Sequence, residues 1–313
     1  MREGAFALVD CLGFKGIWTR HAPEDIVRKL TQIQESIAEL VSPEEQKKRF
    51  TFLSYGSVEV KVKLLSDTAA ISLQYEEKAE PPTEGQKNVL VYLACLVVAE
   101  VCKRFLDEPI PLVLRGCISY GQHISDGNFI IGPAVDEAAK YMDIADGSFT
   151  WLTRSAGERY WRFRSRAGFL LGDQIPKSLV IRAYKELQSR IDPDDDRGLS
   201  NVISQLEGDD DETYLRAYRE TMSEVLDNPL VIKDYDMPLK SGAKLRCSVL
   251  NPIIMTSTDA EITAYEERYR ASMDADRLDV WLKAQNTLDL IHFAKPSTHK
   301  FNLMFPRKSP NGD

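Results

Sequence analysis

Hydrophobic and polar positions divide this chain into a series of short, differently patterned segments. Residues 4–18, GAFALVDCLGFKGIW, hold an apolar run from Ala5 to Val9 that ends on an acid, Asp10, with Gly13 and Phe14 just after it. That pattern predicts a strand delivering a carboxylate to its end, then a glycine turn. Residues 23–41 place Ile26, Leu30, Ile33, Ile37 and Leu40 at intervals of three and four, the period of an amphipathic helix. Next, Val58, Val60, Val62 and Leu64 alternate with Glu59, Lys61 and Lys63, a half-buried strand. Ser66-Asp67 interrupts, and Ala69 to Leu73 resumes, so a hairpin is predicted with Asp67 at its tip. Residues 80–84 read as a loop. Residues 85–106 are apolar nearly all round, which predicts a helix packed on a sheet, ended by Pro109 and Pro111.

A strand is predicted over 111–124 (PLVLRGCISYGQHI), a turn at Ser125-Asp126-Gly127, a short strand to Ile131 and a helix opened by Gly132-Pro133. Residues 148–172 predict a further strand and helix. The order strand, helix, strand, strand, helix, strand points to an α+β fold of the split βαβ, ferredoxin-like kind. Past about residue 178 the character changes. Acidic clusters stand at Asp192 to Asp196 and Asp209 to Glu212, a hairpin is predicted over Asp234 to Pro252, and one long helix or two over 258–293. The division expected is a core at 1–177 and a helical and hairpin extension at 178–313, with 305–313 disordered.

Composition narrows the classes. The chain has 313 residues, 43% of them hydrophobic, and a net charge of −8. General attraction to nucleic acid or anionic lipid is not expected, so an anionic ligand needs a local positive site or a metal. Val89 to Ala99 is the most apolar run, shorter than a membrane span, and no signal peptide is evident. The five cysteines (Cys11, Cys95, Cys102, Cys117, Cys247) form no CxxC pair, which fits reduced thiols and a cytoplasmic protein. The four histidines show no zinc spacing. DPDDDRG, 192–198, departs from a calcium loop because its glycine falls one place late and Ile203 stands where a closing Glu belongs.

In a split βαβ sheet the first strand and the central hairpin lie side by side, so Asp10 and Asp67 converge. Two close carboxylates repel unless a cation lies between them, and oxygen ligands suit Mg²⁺ or Mn²⁺. The alternative is two independent turn aspartates. Four stretches then resemble, in order, the motifs of class III nucleotide cyclases. ALVDCLGFKGI resembles their Asp, two residues, Gly-Phe motif. VKLLSDTAA resembles the Lys followed by a Gly-Asp or Ser-Asp pair, LRGCISYGQHI the Arg-x-Gly-x-x-x-Gly strand, and IIGPAVDEAAKYM the Gly-Asp-x-Val-Asn-x-Ala-x-Arg helix. Together they cover about residues 5–145.

The resemblance implies two divalent cations, Mn²⁺ or Mg²⁺, held by Asp10, Asp67 and the backbone carbonyl of Cys11. It implies a triphosphate at Gly13-Phe14 and a base near Lys63. Phe129 stands where purine cyclases have an adenine-reading Asp, and Asp136 and Lys140 where they have the Asn and Arg of the transition state. Phe129 offers no side-chain acceptor, and Lys140 keeps charge without the guanidinium fork. With the phosphate groups kept and the purine set altered, the chain resembles the bacterial pyrimidine cyclases of Pycsar anti-phage defence, and DYDMPLKSGAKLRCSVLNP resembles their late segment. That implies a homodimer making cyclic UMP, or cyclic CMP, as a signal to a separate effector. The sites would be shared, Asp136 and Lys140 of one subunit facing Asp10 and Asp67 of the other. The extension would then pack on the core or the dimer.

Bland alternatives stand beside each of these. Lys63 also suits a solvated strand face. Arg115 binds phosphate or forms a structural ion pair, Tyr55 stacks on a pyrimidine or packs in a core, and Phe129 packs to narrow the pocket. Asp136 and Lys140 are also placed to pair as an i,i+4 couple. The other function classes in view are an adenylate or guanylate cyclase and a catalytically silent nucleotide-binding module.

Overall fold

The computed structural model describes residues 1–42, 58–76, 81–107, 109–127, 129–170, 230–254, 259–272 and 278–304. Tyr55, the two acidic clusters and the tail at 305–313 lie outside them. The strands are β1 (Arg2–Leu12), β2 (Val58–Leu65), β3 (Thr68–Tyr75), β4 (Val113–Asp126), β5 (Phe129–Ile131), β6 (Thr150–Leu152), β7 (Val231–Pro238) and β8 (Lys244–Leu250). The helices are α1 (Pro23–Leu40), α2 (Glu84–Leu106), α3 (Pro133–Tyr141), α4 (Arg154–Leu170), α5 (Asp259–Ala271) and α6 (Leu278–Met304). Met1–Tyr160 with Pro229–Asp313 form one compact unit and Trp161–Asn228 another. Among the described residues no helix is long and apolar enough to cross a membrane.

The first unit is built on one mixed sheet in the order β2-β3-β1-β4-β6-β8-β7, with β5 paired to β4. Its first four strands are antiparallel and carry the ferredoxin-like connections β1-α1-β2-β3-α2-β4. β1 is central, and Ala5, Ala7 and Val9 are fully buried, which is why it reads as a continuous apolar run. β2 is the edge, and its Val-Glu-Val-Lys alternation follows from having one face to bury.

The helical face of the sheet takes α2, whose Val91, Leu93, Val97 and Val98 are all buried. A capping box between Thr83 and Gln86 starts this helix. Its other end is closed from α1. Lys29 is buried and donates from Nζ to the carbonyl oxygens of Arg104 (3.2 Å) and Asp107. Leu30, assigned to the core by spacing, is only partly buried. The orphan carbonyls of a helix C-terminus need a donor, and an ammonium there also faces the negative end of the helix dipole. Lys29→Met keeps the length and loses the donors, so it should cost about 2 kcal/mol in urea unfolding; an unchanged midpoint would deny Lys29 this role.

The opposite face is covered by α3. Ser119 Oγ donates to the carbonyl of Ala134 (2.7 Å) and Cys117 Sγ to that of Ala138 (3.4 Å). The predicted late hairpin is β7–β8, and it lengthens this same sheet through Trp151↔Val249 and Leu152↔Ser248 on β6. Residues beyond 178 thus finish the sheet that β1 begins.

Candidate active site

Strand register defines the rows of side chains on the α3 face. One row is Leu65, Thr68, Asp10 and Arg115; the next is Lys63, Ala70, Leu8 and Cys117. Successive rows on one face lie about 7 Å apart along the strands. Asp10 therefore has Thr68 on one side and Arg115 on the other. Thr68 Oγ1 donates to Asp10 Oδ1 at 3.0 Å, and Arg115 Nη2 stands 3.9 Å from Asp10 Oδ2.

Asp67 reaches the same end through the turn. Leu65 pairs with Thr68, leaving Ser66 and Asp67 as a two-residue hairpin loop with Ser66 at φ 60°. The Cys11 N–H donates to the Asp67 carbonyl at 2.8 Å, which ties the turn to β1. Burial, with the Asp67 charge assisting, pushes the Asp10 carboxyl above its ordinary range; the Thr68 hydrogen bond and Arg115 oppose this. Cys11 enters only through its backbone, because its thiol is buried on the other face and burial holds it protonated.

These groups fit a divalent cation. Two carboxylates and a carbonyl are hard oxygen donors, and a cation relieves the repulsion that burial magnifies at Asp10. No set of three or more His, Cys, Asp or Glu among the described residues could hold a metal. A site of so few protein ligands suits Mg²⁺ or Mn²⁺, which keep waters and take substrate phosphates.

The turn after β1 is held in place. Gly13 has φ 77°, its carbonyl accepts from Arg20 Nη2 (3.3 Å), and the Phe14 carbonyl accepts from the Ile17 N–H (3.0 Å). Arg20 Nη1 continues to the Ser272 carbonyl (3.2 Å).

Lys63 and Phe129 are brought together, through a contact that spacing does not suggest. Lys63 Nζ donates to the Phe129 carbonyl at 3.1 Å, and Lys61 Nζ to that of Ser125 at 3.1 Å. The two lysines of the edge strand thus hold the β4–β5 hairpin over the sheet. Phe129 itself is 76% exposed, so the expectation that its ring packs within the chain is corrected. It lies on the outer face of a two-stranded hairpin, level with Ile131, where none of the described residues covers it.

Asp136 and Lys140 lie exposed near the start and end of α3. No ion pair joins them, so the i,i+4 couple is absent, and no hydrogen bond or ion pair links either to Asp10 or Asp67. Lys140 Nζ instead sits 5.1 Å from the centre of the Tyr141 ring. Arg115 pairs loosely with Asp10, with 13% of its side chain exposed.

Three residues join the site that sequence did not single out: Thr68, Asp143 and Lys240. Lys240 Nζ pairs with Asp143 Oδ2 at 2.8 Å, and the Lys240 N–H donates to the Ile144 carbonyl at 3.0 Å. The Lys240 hydrogen bond, with Arg115 adding its charge, holds the Asp143 carboxyl below the usual range. Thr68 follows Asp67 directly and was open to notice. Asp143 and Lys240 stand far apart in the chain, and only the sheet brings them together.

No protein-family model matches this chain, and no curated protein does. Solved structures give similarities. One is the catalytic core of a rhodopsin-guanylyl cyclase with converted specificity in complex with ATPalphaS, 13% identical, covering 50% of this chain and 80% of that one at a TM-score of 0.37. Another is the non-canonical dimeric guanylyl cyclase domain of the RhoGC fusion protein from the aquatic fungus Blastocladiella emersonii, 12% identical over 52% and 85%, at 0.37. A third is the guanylyl cyclase Cya2, 14% identical over 50% and 78%, at 0.31. What the chain does is taken from its own residues.

Proposed function

We propose that this chain is a class III-type nucleotide cyclase that converts a pyrimidine nucleoside triphosphate, UTP before CTP, into the 3′,5′-cyclic monophosphate and pyrophosphate. One observation carries the proposal: the sheet register and the Cys11–Asp67 hydrogen bond bring two carboxylates, 57 residues apart, to one end of the sheet within electrostatic reach of each other, beside an arginine. Two divalent cations, Mn²⁺ or Mg²⁺, would supply charge neutralisation at the triphosphate and make the ribose 3′-hydroxyl easier to deprotonate.

Asp10, Asp67 and the Cys11 carbonyl hold those cations. The turn at Gly13-Phe14 offers backbone to the phosphates, and Arg115 offers its guanidinium. The ribose 3′-oxygen bonds to the α-phosphorus, the bond from that phosphorus to the pyrophosphate oxygen breaks, and the hydroxyl proton leaves to water. Asp136 and Lys140 are exposed and unconnected to Asp10 within the chain, as residues serving a partner's site would be. A homodimer with shared sites is therefore part of the proposal, working in the cytoplasm and signalling to a separate effector through its cyclic product.

A pyrimidine is supported by the row next to the acids. An adenine amine needs an acceptor; Phe129 has none on its side chain, and its carbonyl already accepts one hydrogen bond, from Lys63. Lys63 has three donors and no acceptor, which suits the O4 of uracil and opposes the amine of cytosine.

The test is purified protein with equal ATP, GTP, CTP and UTP plus Mn²⁺, read by mass spectrometry. Cyclic UMP in excess over cyclic CMP is expected. Cyclic AMP or GMP as main product would refute the base assignment, and no cyclic product from folded, dimeric protein would refute the cyclase.

A further inference from the structure

Arg115 is a half-buried, poorly satisfied cation. Its closest carboxylate oxygen is 3.9 Å away, against the ~2.8 Å of a well-made charge-assisted hydrogen bond. Its Nε is buried without any hydrogen-bond partner. Asp143 attracts it through space, without ion-pair contact, and lies within electrostatic reach of Asp10 as well. Asp143 is fixed independently, by Lys240 at 2.8 Å and by the backbone bond from the Lys240 N–H to Ile144. A guanidinium loosely paired with one carboxylate and attracted to a second, clamped one has two resting places.

We infer that Arg115 is the counter-ion a divalent cation displaces from Asp10, and that Asp143, clamped by Lys240, is where the displaced guanidinium rests. The inference builds on Asp10 and Asp67 as a metal site. A divalent cation at Asp10 repels the guanidinium and cancels the attraction that kept it there. Asp143 then determines which way the side chain turns. Asp143 and Lys240 are positioning residues, acting through Arg115, and the β7–β8 turn thereby becomes part of the site.

Mn²⁺ affinity of the full chain, measured without nucleotide by electron paramagnetic resonance titration, tests this. Arg115→Gln removes the competitor and should tighten Mn²⁺ binding by roughly 3- to 10-fold, the size of one partly screened charge interaction. Arg115→Lys keeps the charge and should stay within about 2-fold of the wild type. Asp143→Asn leaves Arg115 nowhere else to go and should weaken binding by roughly 3-fold or more. In the Arg115→Gln background, Asp143→Asn should change affinity clearly less than it does in the wild type, because the part of its effect that passes through the arginine is gone and only its direct field at Asp10 remains.

Thermal melts establish that each variant is folded, and Asp143→Ala, which also removes the carboxylate, stands in for Asp143→Asn if that protein is unstable. Unchanged or weaker binding in Arg115→Gln overturns the inference. So does an Asp143→Asn effect that is undiminished without Arg115, or Mn²⁺ binding indifferent to Asp67→Ala. If the Mn²⁺ pattern holds but no nucleotide is cyclised, the inference stands and the proposed function falls.

Discussion

Asp67→Ala should abolish metal-dependent formation of cyclic nucleotide, by about 10³-fold or more, while the protein stays folded. The two halves of this expectation come from different atoms of one residue. What Asp67 gives the fold is its carbonyl oxygen, which accepts from the Cys11 N–H at 2.8 Å, and alanine retains that atom. What it gives the chemistry is a carboxylate within electrostatic reach of Asp10. Asp67 does not stand at positive φ, so alanine meets no strain there. The loss of a carboxylate also relieves repulsion on Asp10, so the melting temperature should hold or rise slightly. Product measured by mass spectrometry, beside a melting curve, decides it: a folded variant with wild-type turnover would remove the acid pair from the mechanism. Asp10 is a less clean target, because its carboxylate accepts from Thr68 and faces Arg115, and asparagine there leaves a buried guanidinium less well paired.

The ease with which this pair is found in the sequence has a physical cause. Asp10 ends an apolar strand, and Asp67 interrupts an alternating one, so both are marked by local periodicity. The two-residue connection makes β2 and β3 a hairpin, and the split βαβ order then places β1 beside it. Helix α2 is legible for the same reason: a segment apolar on every side must be enclosed. Local pattern fails where a polar group is buried for a partner far along the chain. Lys29 looks like a solvent residue until the end of α2 is laid beside it. Phe129 looks like a pocket lining until the hairpin is seen to turn its ring outward, with Lys63 holding the backbone instead. The β7–β8 hairpin is readable as a hairpin, but its place in the sheet depends on two register pairs with the three-residue strand β6. No periodicity records a contact of that kind, and Asp143–Lys240 depends on it.

Gly116→Ala should destabilise the protein by about 3 kcal/mol, beyond most single substitutions that add one methyl group. A methyl at Gly116 would lie 2.0 Å from the Leu8 carbonyl oxygen and 2.7 Å from the Cα of Val9. Both are backbone atoms of the central strand, pinned on their other side by β3, so no side chain can swing away to make room. The strands must separate, and the ladder bonds nearest the methyl are those flanking the Asp10–Arg115 pair. For a chain of this size 3 kcal/mol corresponds to a fall in Tm of roughly 5 °C. Gly157, in the first turn of α4, is the internal control. A methyl there meets only the Cβ of Leu152, at 4.0 Å, an ordinary contact. Gly157→Ala should therefore be neutral or stabilise by up to ~1 kcal/mol through helix propensity. Differential scanning calorimetry of the two variants separates a general intolerance of added methyl groups from a specific one. Equal shifts would mean that the close approach of β4 to β1 is not what glycine is needed for. A large loss at residue 116 alone would tie the spacing of the two central strands to the geometry of Asp10 and Arg115, since the same backbone sets both.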